Sequence, residues 1–539
     1  MKRILLFVNI VLLLLSACHS SSNELQAIST TVPVIDESIS PSPETTKTTI
    51  PTFIPTSEGP SSDYFERVEF LEMTEIPLVN GDESYYIRSS VNYDMDEDGI
   101  NDAVFTITTY PENLAYPVVI LKGGGQIENI ADTVFPDGAV EVQHANQIFL
   151  KDINGDGLED LLVSDAGIDH PPWITPDAKI GIGMNRGGGI FEDVSDTVPD
   201  EAKGLRNYSL AAGDLYNDGR VQIILPSQAT SEGERGPEKT GLLFWNGCEF
   251  EFQQNWININ LWWYSTQLYC TQNMSVQDFD GDGWQDLYAS GCWVSPNHRI
   301  LYGGEDFPAE RSLVELPEGP YGYVNFDEFQ RSDEGVTQGT DVGRAAFDDF
   351  DGDGDLDIIS ILEEVQFYKP GVLDDSNFPY ISENGGQIYA NSWFQVLRND
   401  GEREFVDVSE QGEDLGMRYY VALLPVDLDL DGDTDLIGQY WGKSYSCQPA
   451  WGSTFFINEG EMNFSWVEDQ DLFPELSAQA AAGDNETCPG GGLGLGAFFP
   501  AAVTEDGMDG LFVASYGWMP DDPRLRVIRI QTTGLFHSP

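Results

Sequence analysis

Apolar runs of two to four residues punctuate this chain from residue 103 onward, each preceded by an aspartate-rich turn and followed by a longer stretch of mixed character. Ala103-Val104-Phe105, Leu161-Leu162-Val163, Ile223-Ile224-Leu225 and Leu436-Ile437 are too short for helices and rich in strand formers, so each predicts a strand. A second signal recurs downstream in Met184-Asn185-Arg186-Gly187, Trp245-Asn246-Gly247, Arg398-Asn399-Asp400-Gly401 and Ile457-Asn458-Glu459-Gly460. Each reads as a hairpin turn into an aromatic strand such as Ile190 to Val194 or Glu404 to Val408. One unit is therefore strand, acidic loop, strand, long connection, strand, Asn-Gly turn, strand. Four antiparallel strands per unit make a propeller blade.

The acidic turns are themselves a repeat, Asp-x-Asp-x-Asp-Gly-x-x-Asp or a near variant, starting at Asp94, Asp152, Asp214, Asp278, Asp349 and Asp427. Successive starts lie 58, 62, 64, 71 and 78 residues apart, which is the spacing of repeated blades. The Asn of the hairpin turn follows the loop start by 33, 32, 50 and 31 residues, so the fifth unit carries an insertion between its middle strands. A seventh, decayed copy keeps Ala502, Thr504, Asp506, Gly507 and Gly510 in register, with Leu511-Phe512-Val513 as its apolar run. Seven units account for residues 63–539, and the expected fold is all-β, a seven-bladed β-propeller of four-stranded antiparallel blades with calcium loops.

Calcium takes six to eight hard oxygen ligands, and such a loop presents carboxylates from positions 1, 3, 5 and 9 and a carbonyl from position 7, with glycine at position 6 permitting the turn. The candidate ligands of the first copy are Asp94, Asp96, Asp98, the Ile100 carbonyl and Asp102, and of the second Asp152, Asn154, Asp156, the Leu158 carbonyl and Asp160. The fourth offers Asp278, Asp280, Asp282, Trp284 and Asp286; the fifth Asp349, Asp351, Asp353, Asp355 and Asp357; the sixth Asp427, Asp429, Asp431, Asp433 and Asp435. In the third, Tyr216 and Gln222 replace two carboxylates, so that loop is expected to be empty or weak, leaving about five Ca2+ sites. An EF-hand is excluded, because position 12 is Phe105, Val163, Leu225, Ala289, Ser360 and Gly438 rather than a bidentate Glu. The remaining alternative is a set of acidic surface turns without metal.

These loops and turns resemble the FG-GAP or VCBS repeats of integrin alpha-subunit heads and of bacterial surface proteins. The resemblance implies a seven-bladed propeller with calcium on one face. The Phe-Gly and Gly-Ala-Pro signature is mostly missing, with fragments such as Gly496-Ala497, so the likeness is nearer the bacterial VCBS type.

At the N-terminus, Lys2 and Arg3 precede an apolar stretch from Ile4 to Leu15 that is too short for a stable span. Leu15-Ser16-Ala17-Cys18 looks like a bacterial lipobox, which makes residues 1–18 a signal peptide and Cys18 the lipidated residue. Residues 19–62 are rich in Ser, Thr and Pro and cannot bury enough surface to fold, so they read as a linker holding the propeller off a membrane. The expected location is the bacterial cell envelope, lipid-anchored and facing the extracytoplasmic side. Export also permits disulfides. Cys270 and Cys292 flank the fourth loop and Cys447 and Cys488 lie in the last two units, so these are the candidate pairs, with Cys248 left over.

A formal net charge of −65 makes nucleic acid and anionic lipid poor partners, and the membrane is reached only through the N-terminal lipid. Nothing in the sequence calls for an oligomer, and a monomer is expected. The connection after the second strand lies on the face opposite the calcium loop and is aromatic in most units: Tyr110 and Tyr116; Asp169, His170 and Trp173; Trp293 and His298; Tyr368; Trp441, Tyr445 and Trp451; Tyr516 and Trp518. Such a rim suits binding of an extracellular protein or carbohydrate, whereas packing between blades is the structural alternative for any one ring. No Gly-x-Ser-x-Gly elbow, His-Glu-x-x-His site or phosphate loop is present. The expected function is a calcium-stabilised adhesion or recognition module rather than an enzyme, with a carbohydrate-active enzyme such as a polysaccharide lyase as the alternative.

Overall fold

The computed structural model describes residues 69–77, 84–87, 89–110, 115–124, 128–167, 179–203, 209–226, 241–254, 271–291, 298–305, 307, 313–317, 334–372, 386–409, 414–416, 419–428, 431–441, 451–469, 497–502, 509–515 and 524–531. Cys18 and the 19–62 linker fall outside them.

Each of the first six units places its acidic loop between its first two strands. The second blade is Ile148–Lys151, Asp160–Val163, Gly181–Asn185 and Phe191–Asp193; the third is Ala211–Gly213, Gln222–Leu225, Gly241–Trp245 and Phe250–Gln254. The fourth is Thr271–Gln277, Asp286–Gly291, His298–Leu301 and Leu313–Glu315. The fifth is Val336–Asp348, Asp357–Tyr368, Gly386–Asn399 and Phe405–Asp407, with Asp414–Gly416 paired beside its third strand. The sixth is Tyr419–Val426, Asp435–Trp441, Trp451–Asn458 and Phe464–Glu468. Within each four-strand path of these blades the pairings are antiparallel between sequence neighbours, and the insertion expected in the fifth unit lengthens its strands beyond those of the other blades.

The last blade, Ala497–Ala502, Asp509–Ser515 and Arg524–Gln531, takes its outermost strand from the opposite end of the domain. Glu69–Pro77 pairs antiparallel with Arg524–Gln531 from Glu69↔Gln531 to Pro77↔Arg524. One hydrogen-bonded ladder thus ties the two ends of the domain together. Leu511-Phe512-Val513 falls on the second strand of this blade, where the repeat register places it, while residues 503–508 lie outside the described set.

Six sheets among the described residues have four strands along their path, not the expected seven. The first unit has three: Ser90–Tyr93, Asp102–Phe105 and Val119–Leu121. Its outer edge carries only a single antiparallel bridge, Leu121↔Asn129, with the Lys122 N–H on the Glu128 carbonyl and the Ile130 N–H on the Ile120 carbonyl, and Asn129 ends that pairing. Its Oδ1 accepts the N–H of Ile120 and of Ala131, so a side chain takes a bond that a fourth strand would have made. The chain then turns into the short helix Ala131–Val134, whose Ala131 and Val134 are buried in the first core cluster.

First strands of neighbouring units lie side by side: Ser90–Tyr93 beside Ile148–Lys151, Thr271–Gln277 beside Val336–Asp348, Val336–Asp348 beside Tyr419–Val426, and Ala497–Ala502 beside Ser90–Tyr93. The core fills the spaces between sheets. Ile223 and Leu243 of the third blade pack with Leu162 and Ile182 of the second, whereas Ile224 and Leu242 pack with Leu287 and Leu301 of the fourth. Alternate residues of one strand thus serve two different cores. This explains why the second strands read as continuous apolar runs, each fully buried side chain contributing about 1.5–3 kcal/mol.

Candidate metal loops

All six loops close in the same way, beginning with glycine at position 6. Gly99, Gly157, Gly219, Gly283, Gly354 and Gly432 have φ from +82° to +100°, where a side chain would be strained. Each of these N–H groups donates to Oδ2 of the position-1 aspartate at 2.7–3.2 Å. The aspartate at position 5 accepts the N–H of position 7 through Oδ1 in every copy. In the first three loops the second oxygen of the position-1 aspartate also accepts a backbone N–H, from Asp98 to Asp94, from Gly155 and Asp156 to Asp152, and from Asp218 to Asp214.

Oxygens able to act as ligands lie within 4.8 Å of one another in three groups: Asp94, Asp96 and Asp102; Asp278, Asp280 and Asp282; Asp349, Asp351 and Asp353. Oδ1 of Asp278, Asp349 and Asp427 is buried without a hydrogen-bond partner. Burying such an atom unpaired is costly, and a hard cation is the partner that suits it. The donor set of the loops thus fits calcium. Asp429 lies outside the described residues, so the described part of the sixth loop comprises Asp427, Asp431, Asp433 and Asp435. In the second loop, Asn154 Oδ1 accepts the Asp156 N–H at 2.9 Å, and Asp152 Oδ1 accepts those of Gly155 and Asp156.

Position 9 has a role the sequence pattern does not announce. Oδ2 of Asp102, Asp160, Asp286, Asp357 and Asp435 accepts the N–H of position 2 (Met95, Ile153, Phe279, Phe350, Leu428) at 2.7–3.1 Å. Their Oδ1 accepts a second N–H, from Gly123, Asn185, Gly303, Asn399 or Asn458 at the end of the third strand. These five aspartates clip loop to hairpin with or without an ion. Burial pushes Asp102 and Asp160 up to about 6 and Asp286 and Asp357 up to about 7, against the lowering effect of the two N–H donors.

The Asn of the hairpin turn does more than bend the chain. Asn399 Nδ2 donates to the Phe279 carbonyl in the preceding blade's loop at 2.7 Å, and Asn458 Nδ2 to the Phe350 carbonyl at 2.8 Å. Both asparagines are buried, so each staples two blades. The signal was present as the recurrent Asn, but the turn propensity of that residue hid its second use.

Basic groups also reach the loops, unforeseen in so acidic a chain. Lys122 Nζ bonds Oδ2 of Asp96 and, at 2.6 Å, Oδ2 of Asp98. Arg220, at position 7 of the third loop, bonds Asp218 Oδ2 through Nη2 at 2.5 Å. Arg403 comes from the hairpin turn of the fifth blade to the fourth blade's loop, with Nε on Asp280 Oδ2 at 2.6 Å. Lys122 holds Asp98 below the usual carboxylate range, and Arg220 does the same to Asp218.

The aromatic rim fares differently. Asp169, His170, Trp173, Trp293, Tyr445 and Trp518 lie outside the described residues, and of Trp441 only the backbone is described, paired with Trp451. His298 is a correction: it is 1% exposed, with Nδ1 against Tyr288 Oη at 3.1 Å and Nε2 against the Pro317 carbonyl at 3.1 Å. Burial pushes it down to about 4, which makes it a neutral core residue that cannot face a ligand. Tyr116 is buried as well. Tyr368 remains half-buried, its hydroxyl donating to Gln366. Cys248 is a second correction, because it is disulfide-bonded rather than left over. Its partner lies outside the described residues, as do Cys270, Cys292, Cys447 and Cys488. If Cys18 carries lipid, at most one of the two expected pairs stands.

No family model matches the chain. Integrin alpha-4 of Xenopus laevis is 29% identical over 163 residues, 28% of this chain and 14% of the integrin, so the chain spans a small part of that relative. Among solved structures, rhamnogalacturonan lyase YesW is similar over 86% of this chain and 76% of its own at a TM-score of 0.35 and 12% identity. The Dos1 propeller is similar over 88% and 97% at a TM-score of 0.32 and 9% identity, and the V. cholerae biofilm matrix protein Bap1 over 87% and 84% at 0.27 and 14%. Likenesses this distant carry no activity across.

Proposed function

We propose that the chain is a calcium-stabilised propeller of the bacterial cell surface that binds an extracellular protein or glycan, and that its three-stranded first sheet counts as the seventh blade of the ring. The observation that carries the calcium part is the set of buried, unpartnered oxygens on Asp278, Asp349 and Asp427 inside carboxylate loops. When bound, the ion would neutralise these carboxylates and hold the turns closed. The side chains that would hold it are those at positions 1, 3 and 5 of each intact loop, Asn154 among them, joined in the first loop by Asp102, while position 9 also keeps the loop on its hairpin.

Recognition is proposed to fall to the ends of the second strands and the connections that follow them, whose sequence carries Trp173, Trp293, Trp441, Tyr445 and Trp518. Anchoring is assigned to Cys18, with residues 19–62 as the spacer. No helix among the described residues is long and apolar enough to cross a membrane. The deciding experiment is a glycan and extracellular-protein array probed with the full chain in calcium and in EGTA. Calcium-dependent capture of one ligand class supports the reading. Release of unsaturated or reducing ends from an arrayed polysaccharide would instead establish the enzyme.

A further inference from the structure

We propose that Lys122 and Arg403 are built-in counter-cations that compete with the divalent ion for the first and fourth loops, so that the loops fill in a graded order; this rests on the calcium reading above. Lysine and arginine total 26 in the chain against 91 carboxylates, so a basic group placed on a metal loop is a strong choice of position.

Lys122 follows the third strand of the first sheet directly. Its ammonium sits on Oδ2 of Asp96 and Asp98, the very oxygens that the turn leaves for the loop interior. Burial works against its charge, yet the two carboxylates outweigh that and raise it. Arg403 approaches from another blade. It occupies a left-handed turn position at φ +68°, lays its guanidinium 4.3 Å from the centre of the Tyr302 ring, and bonds Asp280 Oδ2 at 2.6 Å and Asp282 Oδ2 at 3.5 Å. The Asp280 side chain is only 7% exposed, while that of Arg403 remains 38% exposed. Yet Asp278 Oδ1 in the same loop keeps no partner, which leaves the loop with both an internal cation and an unmet acceptor.

The other loops complete the series. In the third, Arg220 bonds Asp218 while Tyr216 and Gln222 remove two acids, so its cation is permanent. In the second and fifth loops, among the described residues, no lysine or arginine bonds positions 3 or 5. Arg398, of the fifth blade's own hairpin, bonds Asp400 instead. An ion entering the first or fourth loop must therefore displace an ammonium or guanidinium from shared oxygens, whereas one entering the second or fifth does not. At the fourth loop that displacement also removes one contact from the fifth blade's turn, leaving Asn399 on the Phe279 carbonyl, which couples ion binding to the junction of two blades.

The test is calorimetric titration of the full chain with calcium at fixed ionic strength, comparing wild type with Lys122→Gln, Arg403→Gln, Arg403→Lys and Arg220→Gln. Wild type should show a tight and a weak class of sites. Lys122→Gln and Arg403→Gln should each move one ion into the tight class, with an affinity gain of about tenfold at unchanged stoichiometry. Arg403→Lys should fall between, and Arg220→Gln should change nothing. A merely structural Arg403 would lower the melting temperature of its variant and leave the isotherm untouched. That result, or weakened binding in Lys122→Gln and Arg403→Gln, overturns the proposal. Absence of calcium heat in every protein removes the calcium reading itself, a distinguishable failure.

Discussion

The third and fifth blades share one backbone plan and differ in nearly everything a cation would encounter. Gly219 and Gly354 make the same left-handed turn, and Asp214 and Asp349 accept the same N–H. Where the fifth has Asp357 taking two N–H groups, the third has Gln222, whose Oε1 takes that of Leu215 at 2.8 Å. Tyr216 stands in the place of Asp351 and packs edge-on against Phe307 at 6.0 Å. Asn246 serves its own hairpin, accepting from Cys248 and Glu249, while Asn399 crosses to the neighbouring blade. The turn therefore needs glycine and acceptors at positions 1 and 5, which both loops keep, and the acids at positions 3 and 9 of the fifth loop exceed that requirement.

Chelation is the strongest test of that division. A site saturated a hundredfold above its Kd contributes about 2.7 kcal/mol. EGTA should thus lower the melting temperature markedly and speed amide exchange at residues 349–357, with little change at 214–222. An unaltered melt would erase the distinction between the two blades.

The clip offers the next largest effect. In EGTA, Asp357→Ala strands the N–H groups of Phe350 and Asn399, each costing about 1–3 kcal/mol, whereas Gln222→Ala strands that of Leu215. The urea midpoint should fall about twice as far in the first variant. Equal losses would show that an amide clips as firmly as a carboxylate.

Replacing the first aspartate sharpens the contrast at one ion. Asp349→Asn should remove one calcium from the titration and about 2.7 kcal/mol of its stabilisation at hundredfold saturation, and Asp214→Asn should remove none.

The smallest expected effect concerns buried charge, which the fifth blade carries on its first two strands. Asp341 and Glu363 face each other directly in register, both fully buried. Burial pushes Asp341 up to about 7 and Glu363 well above its usual range, the latter raised further by Asp341, with Arg344 opposing both. Folded values above unfolded ones mean that the native state binds the extra proton. Stability from this pair is complete below about pH 4 and is lost as pH rises through 7. Glu363→Gln should therefore raise the unfolding free energy from urea melts at pH 8 by about 1 kcal/mol and leave it unchanged at pH 4. A flat difference across that range would exclude the pair as the source.

Much of the blade was legible because its signals are local. The loop spacing, the Asn-Gly turns and the insertion in the fifth unit all register within one repeat, and each appears where the pattern puts it. Asn129 was not legible as a strand terminator, since its effect depends on meeting the Ile120 N–H across a turn. Nor was the burial of His298, because the ring is enclosed by Tyr288 and Pro317, which the chain brings together only on folding.

The sequence by itself determined the turns and the strands, since glycine at position 6, aspartates two residues apart and alternate apolar positions act through bonds closed within a few residues. Tertiary structure decided which strand ends the ring and which cation meets which loop. Glu69 finds Gln531, and Arg403 reaches an aspartate 123 positions away. Contacts of that span leave no periodic trace, because charge and hydrogen-bonding groups select partners by distance in space and not along the chain.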